Sequence, residues 1–581
     1  MTALQRSTEI DVLDPLPQVP SLHTAPARSS VDRYLSSGGR WVQVASLVGY
    51  LPAVVCIGIF SLRSPWLWPF LVVVVMNLTG LLLTAFTALR RGTITAETHE
   101  LQWSEWLDDR YVDGAFPSVD VFLPCCGEPL EVLRNTYRHV SRLQWGPGLR
   151  VWVLDDSGSS RVAEAAASFG FEYLSRPNRG EMKKAGNLKY AFEHSDADLV
   201  AIFDADFCPR EDYLLQLVPY FDDAEVGIVQ SPQYFATTAT MGWLERGAGS
   251  TQEMFYRWIQ TSRDALGAAI CVGTCAIYRR TALEAAGGFV QIEHSEDVHT
   301  GVAVVDAGSR LQYVPAVLSQ GLCPDDLASF VNQQYRWCTG SLSLLAKGLK
   351  RHYDVPYRQR LCFWSGFMYY LSTAVNAVVL PIPGLVMLAF YAEDIQPKHL
   401  LPFLPALFVQ MVVMPRLMTT RWRPDVVRVQ LAYSFAHLVA LIHAVRRRSA
   451  AWVPTGAGSA VGPIATQVGR LAVVAISTSV IASWTAFALD VHRYGFERYS
   501  VLVVFMALYS YYAIPLVVGF VRMLTGSGPG KRSRGRDLDR VEESVAASRL
   551  PWSDVAARTV LLVSLGLYAA GAIDLDAFLL R

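Results

Sequence analysis

No excess of charge of either sign marks this chain: 51 Lys and Arg balance 51 Asp and Glu over 581 residues. Without a basic surplus nothing invites a polyanion, and no nucleic-acid partner is expected. Lysine is scarce beside arginine. The nine cysteines include no pair of C-x-x-C units and no Cys/His cluster at zinc spacing, which excludes a structural zinc domain. Cys125 and Cys126 adjoin, Cys56 lies in an apolar run, and Cys271 and Cys275 flank Gly273-Thr274. All are expected as reduced thiols packed in the protein. The N-terminus has no early apolar run, so no cleaved leader is expected. Residues 1–38 are polar and rich in Pro and Ser, and read as a disordered cytoplasmic tail. Internal repeats are absent too.

What is present in quantity is apolar. Hydrophobic residues make up 52 % of the chain, and the surplus is concentrated towards its two ends. Runs at 41–62 and 66–89 each approach the ~20 residues that a membrane helix needs. The short link Arg63-Ser64-Pro65 makes them a hairpin (39–91), and Arg90-Arg91 mark its cytoplasmic side. Further spans are expected at 362–391, broken by Leu380-Pro381-Ile382-Pro383, and at 400–419, 468–489, 500–523 and 557–577. That gives seven spans. The helical piece 424–445 carries internal Arg and His, so it is expected on the membrane surface. Basic clusters at Arg421/Arg423, Arg446-Arg447-Arg448 and Lys531-Arg532/Arg534/Arg536 share the side of the soluble region. A basic linker (524–556) precedes the last span (557–581).

From 115 to 350 the hydropathy becomes that of a soluble α/β domain. β-rich runs (VDVFLP, RVWVLDD, DLVAIFDAD, VGIVQSP) alternate with helical segments. That alternation predicts a mostly parallel sheet covered by helices. Several strands end in acidic residues, and ligands sit outside the carboxyl ends of strands in such sheets. Four motifs follow in order: Asp155-Asp156, Asp204-Ala205-Asp206, Ser295-Glu296-Asp297 and Gln333-x-x-Arg336-Trp337. Each alone is weak. Together they suit a site that holds a nucleotide, binds a metal and removes a proton. Asp204 and Asp206 follow an apolar strand and suit a hard cation, Mg²⁺ or Mn²⁺, bridging to diphosphate. Adjacent side chains on a strand point to opposite faces, which favours Asp156 over Asp155 as the nucleotide contact. Gln333, Arg336 and Trp337 share one helical face. There Arg336 can clamp diphosphate while Trp337 offers a flat surface to a sugar.

This order of motifs, running directly into membrane helices, resembles the processive family 2 glycosyltransferases, the cellulose and hyaluronan synthase group. The resemblance implies a GT-A nucleotide-diphospho-sugar transferase domain inserted between membrane helices. It makes Asp297 the general base, since S-E-D resembles the T-E-D of cellulose synthases. It places Asp155 and Asp156 by the uridine. Pro124-Cys125-Cys126-Gly127-Glu128 is similar to the family's P-x-x-x-E segment beside the base, and Lys184-Ala185-Gly186-Asn187 to its K-A-G-N. Gln230-Ser231-Pro232-Gln233-Tyr234-Phe235 and Cys271–Cys275 resemble acceptor-side segments, implying acceptor contacts at Tyr234, Phe235 and Gly273. His294 and His299 are expected to be structural. Residues 351–523 resemble a channel-like region. Within it Trp452–Ala457, in the loop 449–458, stands where the family's F-x-V-T-x-K gating loop lies, without the terminal Lys.

The function expected is an inverting, membrane-embedded transferase that polymerises a UDP-sugar, with UDP-glucose and a β-glucan in front, and exports the chain. Its setting is the inner or plasma membrane, with the catalytic domain cytoplasmic. The partners implied are the UDP-sugar, the growing polysaccharide, the bilayer and an accessory export subunit. Two rivals stand beside it: a non-processive transferase on a lipid-linked acceptor, and a transporter with a nucleotide-binding insert. The expected spans hold almost no acidic or basic residues for ion coupling, which argues against the transporter.

Overall fold

In the computed structural model the described residues are 23–35, 40–88, 90, 92–113, 116–238, 241–348, 356–418, 420, 425–447 and 461–527. The loop 449–458, the basic linker from residue 528 onward and the 557–577 span lie outside them.

The soluble region folds as a seven-stranded sheet in the order β3-β2-β1-β4-β7-β6-β8. The strands are β1 Val119–Cys125, β2 Leu149–Asp155, β3 Glu172–Leu174, β4 Leu199–Ile202, β6 Val226–Gln230, β7 Ala276–Arg279 and β8 Arg310–Tyr313. Two short strands, β5 Cys208–Pro209 and β9 Ser319–Gln320, pair separately. β1 is parallel to β2 and β4, while β7 runs antiparallel to β4 and β6. The expected mostly parallel sheet is present, with β7 as its one reversed strand. β1 is buried along its whole length, as a strand covered on both faces must be. Val119, Val121 and Leu123 enter one core and Phe122 the other, following the two-residue alternation of a strand. The order reverses beside β1, where β2 and β4 flank it. That switch point opens a crevice outside the strands' carboxyl ends.

Among the described residues, seven helices are long and apolar enough to cross a membrane. Six match the runs read from sequence: Val44–Ser61, Pro69–Thr87, Tyr357–Phe390, Pro397–Leu417, Pro463–Tyr494 and Glu497–Thr525. The proline pair interrupts the third between Val379 and Ile382. The seventh is Asp425–Val445, which the sequence reading placed on the membrane surface. Arg428 donates to the carbonyls of Tyr511 and Tyr512 and to Asp425, and Thr373 hydrogen-bonds His437 Nδ1 at 2.8 Å. More than half of the helix is covered by protein.

One correction concerns residues 23–35, expected in a disordered tail. They form a short 3-10 helix, Arg28–Arg33, and bury Val31, Tyr34 and Leu35 against the catalytic domain. Three apolar side chains in a polar, Pro/Ser-rich stretch leave no periodic signal. Val31 meets Val317 and Tyr34 meets Tyr234, both distant in sequence.

Candidate active site

A cavity of about 670 Å³ occupies the crevice. Its wall includes Glu128, Asp156, Lys184, Asp204, Asp206, Phe235, Glu296, Asp297, Gln333, Arg336 and Trp337, so one space gathers residues from all four motifs.

The D-x-D loop leaves the end of β4 and is pinned by its backbone. Asp204 N–H donates to Thr274 Oγ1 at 2.9 Å, and Thr136 Oγ1 donates to the Ala205 carbonyl at 2.8 Å. Lys184 pairs with the Asp204 carboxylate and donates to the Gly273 carbonyl at 2.8 Å. Burial works against the Lys184 charge, but Asp204 and Glu296 outweigh it and its pKa is raised. Burial and the nearby Asp204 push the Asp206 carboxyl up to about 7. Two carboxylates so close disfavour joint ionisation unless a cation joins them. No cluster of three or more His, Cys, Asp or Glu among the described residues is arranged as a metal cage. Two carboxylates beside a phosphate pocket nevertheless fit Mg²⁺ or Mn²⁺, which keep waters and phosphate oxygens as their other ligands. The donor set is compatible with such an ion.

Asp297 lies in the first turn of the helix Glu296–Asp306, and its Oδ1 accepts from Val298 N–H at 2.8 Å. Desolvation and then Glu296 push its carboxyl up to about 7, with Lys184 opposing. Ser295 precedes it at φ 56°, in the left-handed region that ordinary side chains rarely adopt, and backbone of this kind gathers at functional loops. Gly273 is at φ 74°, and a Cβ there would come within 2.8 Å of the Asp297 Cβ. Only glycine lets the Lys184-bound loop pass so close to Asp297. Burial lowers the Arg336 pKa, against the pull of Glu296, Asp204 and Asp297. Gln333, Arg336 and Trp337 project into the cavity from the helix Leu327–Gly348, on one face as their spacing requires. Glu128 also lines the cavity, where Cys126 N–H donates to its Oε2 at 2.6 Å and burial raises its pKa.

Three residues read from sequence as direct contacts stand elsewhere. Asp155 is fully buried, and its carboxylate accepts from Ser157 N–H and Oγ, Ser159 N–H and Tyr173 OH. It braces the β2 turn, leaving Asp156 to face the cavity. Tyr234 turns inward, because alternation along an extended segment sends Gln233 and Phe235 to the cavity and Tyr234 away from it. Gly273 frames Lys184 and Asp297 without lining the space itself. His299 is structural as expected, bonded to Ser343 Oγ at 2.9 Å, whereas His294 is part of the wall.

Sequence reasoning missed Arg176. Its buried guanidinium donates to both Asp156 oxygens, at 2.6 and 2.8 Å, and to the Lys183 carbonyl at 3.1 Å. It ties the Asp156 turn to the start of the K-A-G-N helix, Lys183–Glu193. A lone Arg twenty residues downstream carried no motif signal. Removing one partner of a buried pair strands the other charge, at a cost of ~3–5 kcal/mol. Arg176→Met is therefore expected to lower the thermal midpoint and weaken nucleotide binding together. Unchanged melting with intact UDP affinity would show the pair to be dispensable.

Residues 117–340 match the family described as Glycosyltransferase like family 2. This segment is a family 2 glycosyltransferase domain. Curated relatives of the chain include Cellulose synthase 1 of Komagataeibacter xylinus, 31 % identical over 295 residues, or 48 % of this chain and 18 % of the relative. The cellulose synthase catalytic subunit [UDP-forming] of Xanthomonas axonopodis pv. citri is 32 % identical over 270 residues, 44 % of this chain and 36 % of the relative. The chain thus spans well under half the length of these relatives. Among solved structures, a mannosyltransferase from Pyrobaculum calidifontis in complex with GDP-Man and Mn²⁺ superposes with a TM-score of 0.42 at 18 % identity. That match covers 64 % of this chain and all of the other. With its glycosyltransferase domain set between helices of span length, the chain is a membrane protein.

Proposed function

We propose that the protein is an inverting, membrane-embedded glycosyltransferase that adds sugar from a UDP-sugar, glucose in the first instance, to a growing β-glucan. The setting is the inner or plasma membrane with the catalytic domain on the cytoplasmic side, and the chain leaves among the membrane helices. One observation carries the reading. A single cavity brings a carboxyl held at about 7, Asp297, together with two cations, Lys184 and Arg336, and the carboxylates Asp204 and Asp206. Likeness to UDP-forming cellulose synthase subunits supports UDP-glucose as donor.

In this reading Asp297 takes the proton of the acceptor hydroxyl as its oxygen attacks the anomeric carbon. The bond from that carbon to the diphosphate breaks on the opposite face, and UDP departs with the electron pair. Lys184 and Arg336 stand where negative charge builds on the leaving group, and charge-assisted contacts of this kind are the strong ones. A divalent ion held by Asp204 and Asp206 would supply Lewis-acid neutralisation of the diphosphate. Asp156, fixed by Arg176, and Glu128 hold the nucleoside end, while Gln333 joins the diphosphate contacts. Phe235 and Trp337 face the acceptor.

The test is incubation of purified protein in nanodiscs with each UDP-sugar and Mg²⁺ or Mn²⁺, followed by linkage analysis. A β-linked polymer from UDP-glucose is expected. A single sugar on a lipid acceptor would establish the non-processive alternative, and nucleotide binding without transfer would favour the transporter.

The roles of Arg336 and Trp337 separate by calorimetry. Trp337→Ala is expected to cut polymer formation strongly yet leave UDP affinity within about threefold, roughly 0.65 kcal/mol. Arg336→Ala is expected to weaken UDP through loss of its clamp. Equal loss of nucleotide binding in both variants would contradict this division.

A further inference from the structure

Residues 23–35 are wrapped across the catalytic domain, and their contacts fall on two cavity loops. His23 Nε2 hydrogen-bonds the Asp206 carbonyl at 2.7 Å, and because a carbonyl can only accept, that nitrogen carries the proton. Asn135 Nδ2 donates to the His23 carbonyl at 2.9 Å, and Arg210 Nη1 to that of Pro26 at 2.9 Å. The Val317 N–H donates to the Val31 carbonyl at 3.1 Å. At the other end Arg33 Nη1 donates to Tyr234 OH at 3.0 Å, and the ring of Tyr34 meets that of Tyr234 edge-on at 6.0 Å. Tyr34 is almost completely buried, and Val31 and Leu35 enter the core below the sheet.

We infer that residues 23–35 are a positioning strap for the transfer reaction. His23 sets the D-x-D loop through Asp206, and Arg33 with Tyr34 anchors Tyr234 so that Gln233 and Phe235 face the cavity. The inference rests on the proposed role of Asp206 in holding a divalent ion. The side-chain hydroxyls of Thr136 and Thr274 hold the backbone of Ala205 and Asp204, leaving the Asp206 carbonyl to His23. Once the Asp206 carbonyl is loosened, the carboxylate on the same residue loses the fixed geometry that a hard cation requires. Along the 230–235 segment, alternation links the inward turn of Tyr234 to the outward turn of its neighbours.

The experiment uses the full chain in nanodiscs, with UDP titrated in Mn²⁺ and in EDTA. His23→Ala is expected to weaken UDP roughly three- to tenfold in Mn²⁺, the scale of one lost hydrogen bond, and to leave it unchanged in EDTA. His23→Gln, whose amide N–H can reach the same carbonyl, is expected to recover most of the loss. Arg33→Met is expected to lower turnover with the donor KM unchanged. Equal weakening in Mn²⁺ and EDTA would mean general loosening and overturn the strap, as would unchanged affinity in His23→Ala. If wild-type UDP binding proves indifferent to Mn²⁺, the ion-holding role of Asp206 fails instead. The strap then stands if Arg33→Met slows transfer at unchanged donor KM, and falls if it does not.

Discussion

Asp297→Asn is expected to abolish transfer while UDP affinity stays within about threefold. The amide keeps the shape of the carboxylate and can still accept from Val298 N–H, but it cannot take a proton. General-base catalysis contributes ~10²–10⁴-fold, which is the size of the loss expected in single-turnover assays. The pH profile offers an independent check. The working form is the carboxylate, and a pKa raised to about 7 leaves roughly a tenth of it ionised one pH unit lower. For the wild type kcat/KM is expected to climb with pH through neutrality and level off above it. A carboxylate at its ordinary pKa would level off about three units lower. Turnover above about a tenth of wild type in Asp297→Asn would remove this residue from the base role.

Chelation is expected to stop turnover, and Asp206→Ala to reproduce much of that loss. Asp204→Ala removes two things at once, a cation ligand and the partner of Lys184, so its phenotype is expected to be the more severe. Asp206→Ala is the cleaner variant. It should weaken UDP in Mg²⁺ or Mn²⁺ and leave affinity in EDTA unaltered, because the lost contact runs through the ion. Full turnover in excess chelator would refute a metal-dependent mechanism.

Much of the site is legible in the sequence because its parts are local. Asp156 and the D-x-D pair follow strands whose apolar runs are unmistakable, and the spacing of Gln333, Arg336 and Trp337 defines a helical face without further information. Parity along an extended segment also says that Asp155 and Asp156 cannot both face the site. The same rule applied to Gln233-Tyr234-Phe235 would have turned Tyr234 inward, had the direction of one neighbour been known. What stays hidden depends on contacts distant in sequence. Arg176 meets Asp156 through a turn of the chain, the strap meets Asp206 across 183 residues, and Arg428 finds carbonyls on a later helix. Composition reports what a segment could bury, and it is silent on whether a partner exists.

The helix Leu327–Gly348 faces two ways. Arg336 and Trp337 look into the cavity, while Phe330, Val331, Tyr335 and Cys338 are packed among residues of the membrane helices. A domain cut free at residue 340 would therefore expose four side chains that the intact protein hides, on the very helix that holds the phosphate clamp. The catalytic unit is not portable. It could not be shed as a soluble enzyme or grafted onto a foreign anchor without redesign of that face. Any lineage that exchanged its membrane half would have to exchange this helix with it.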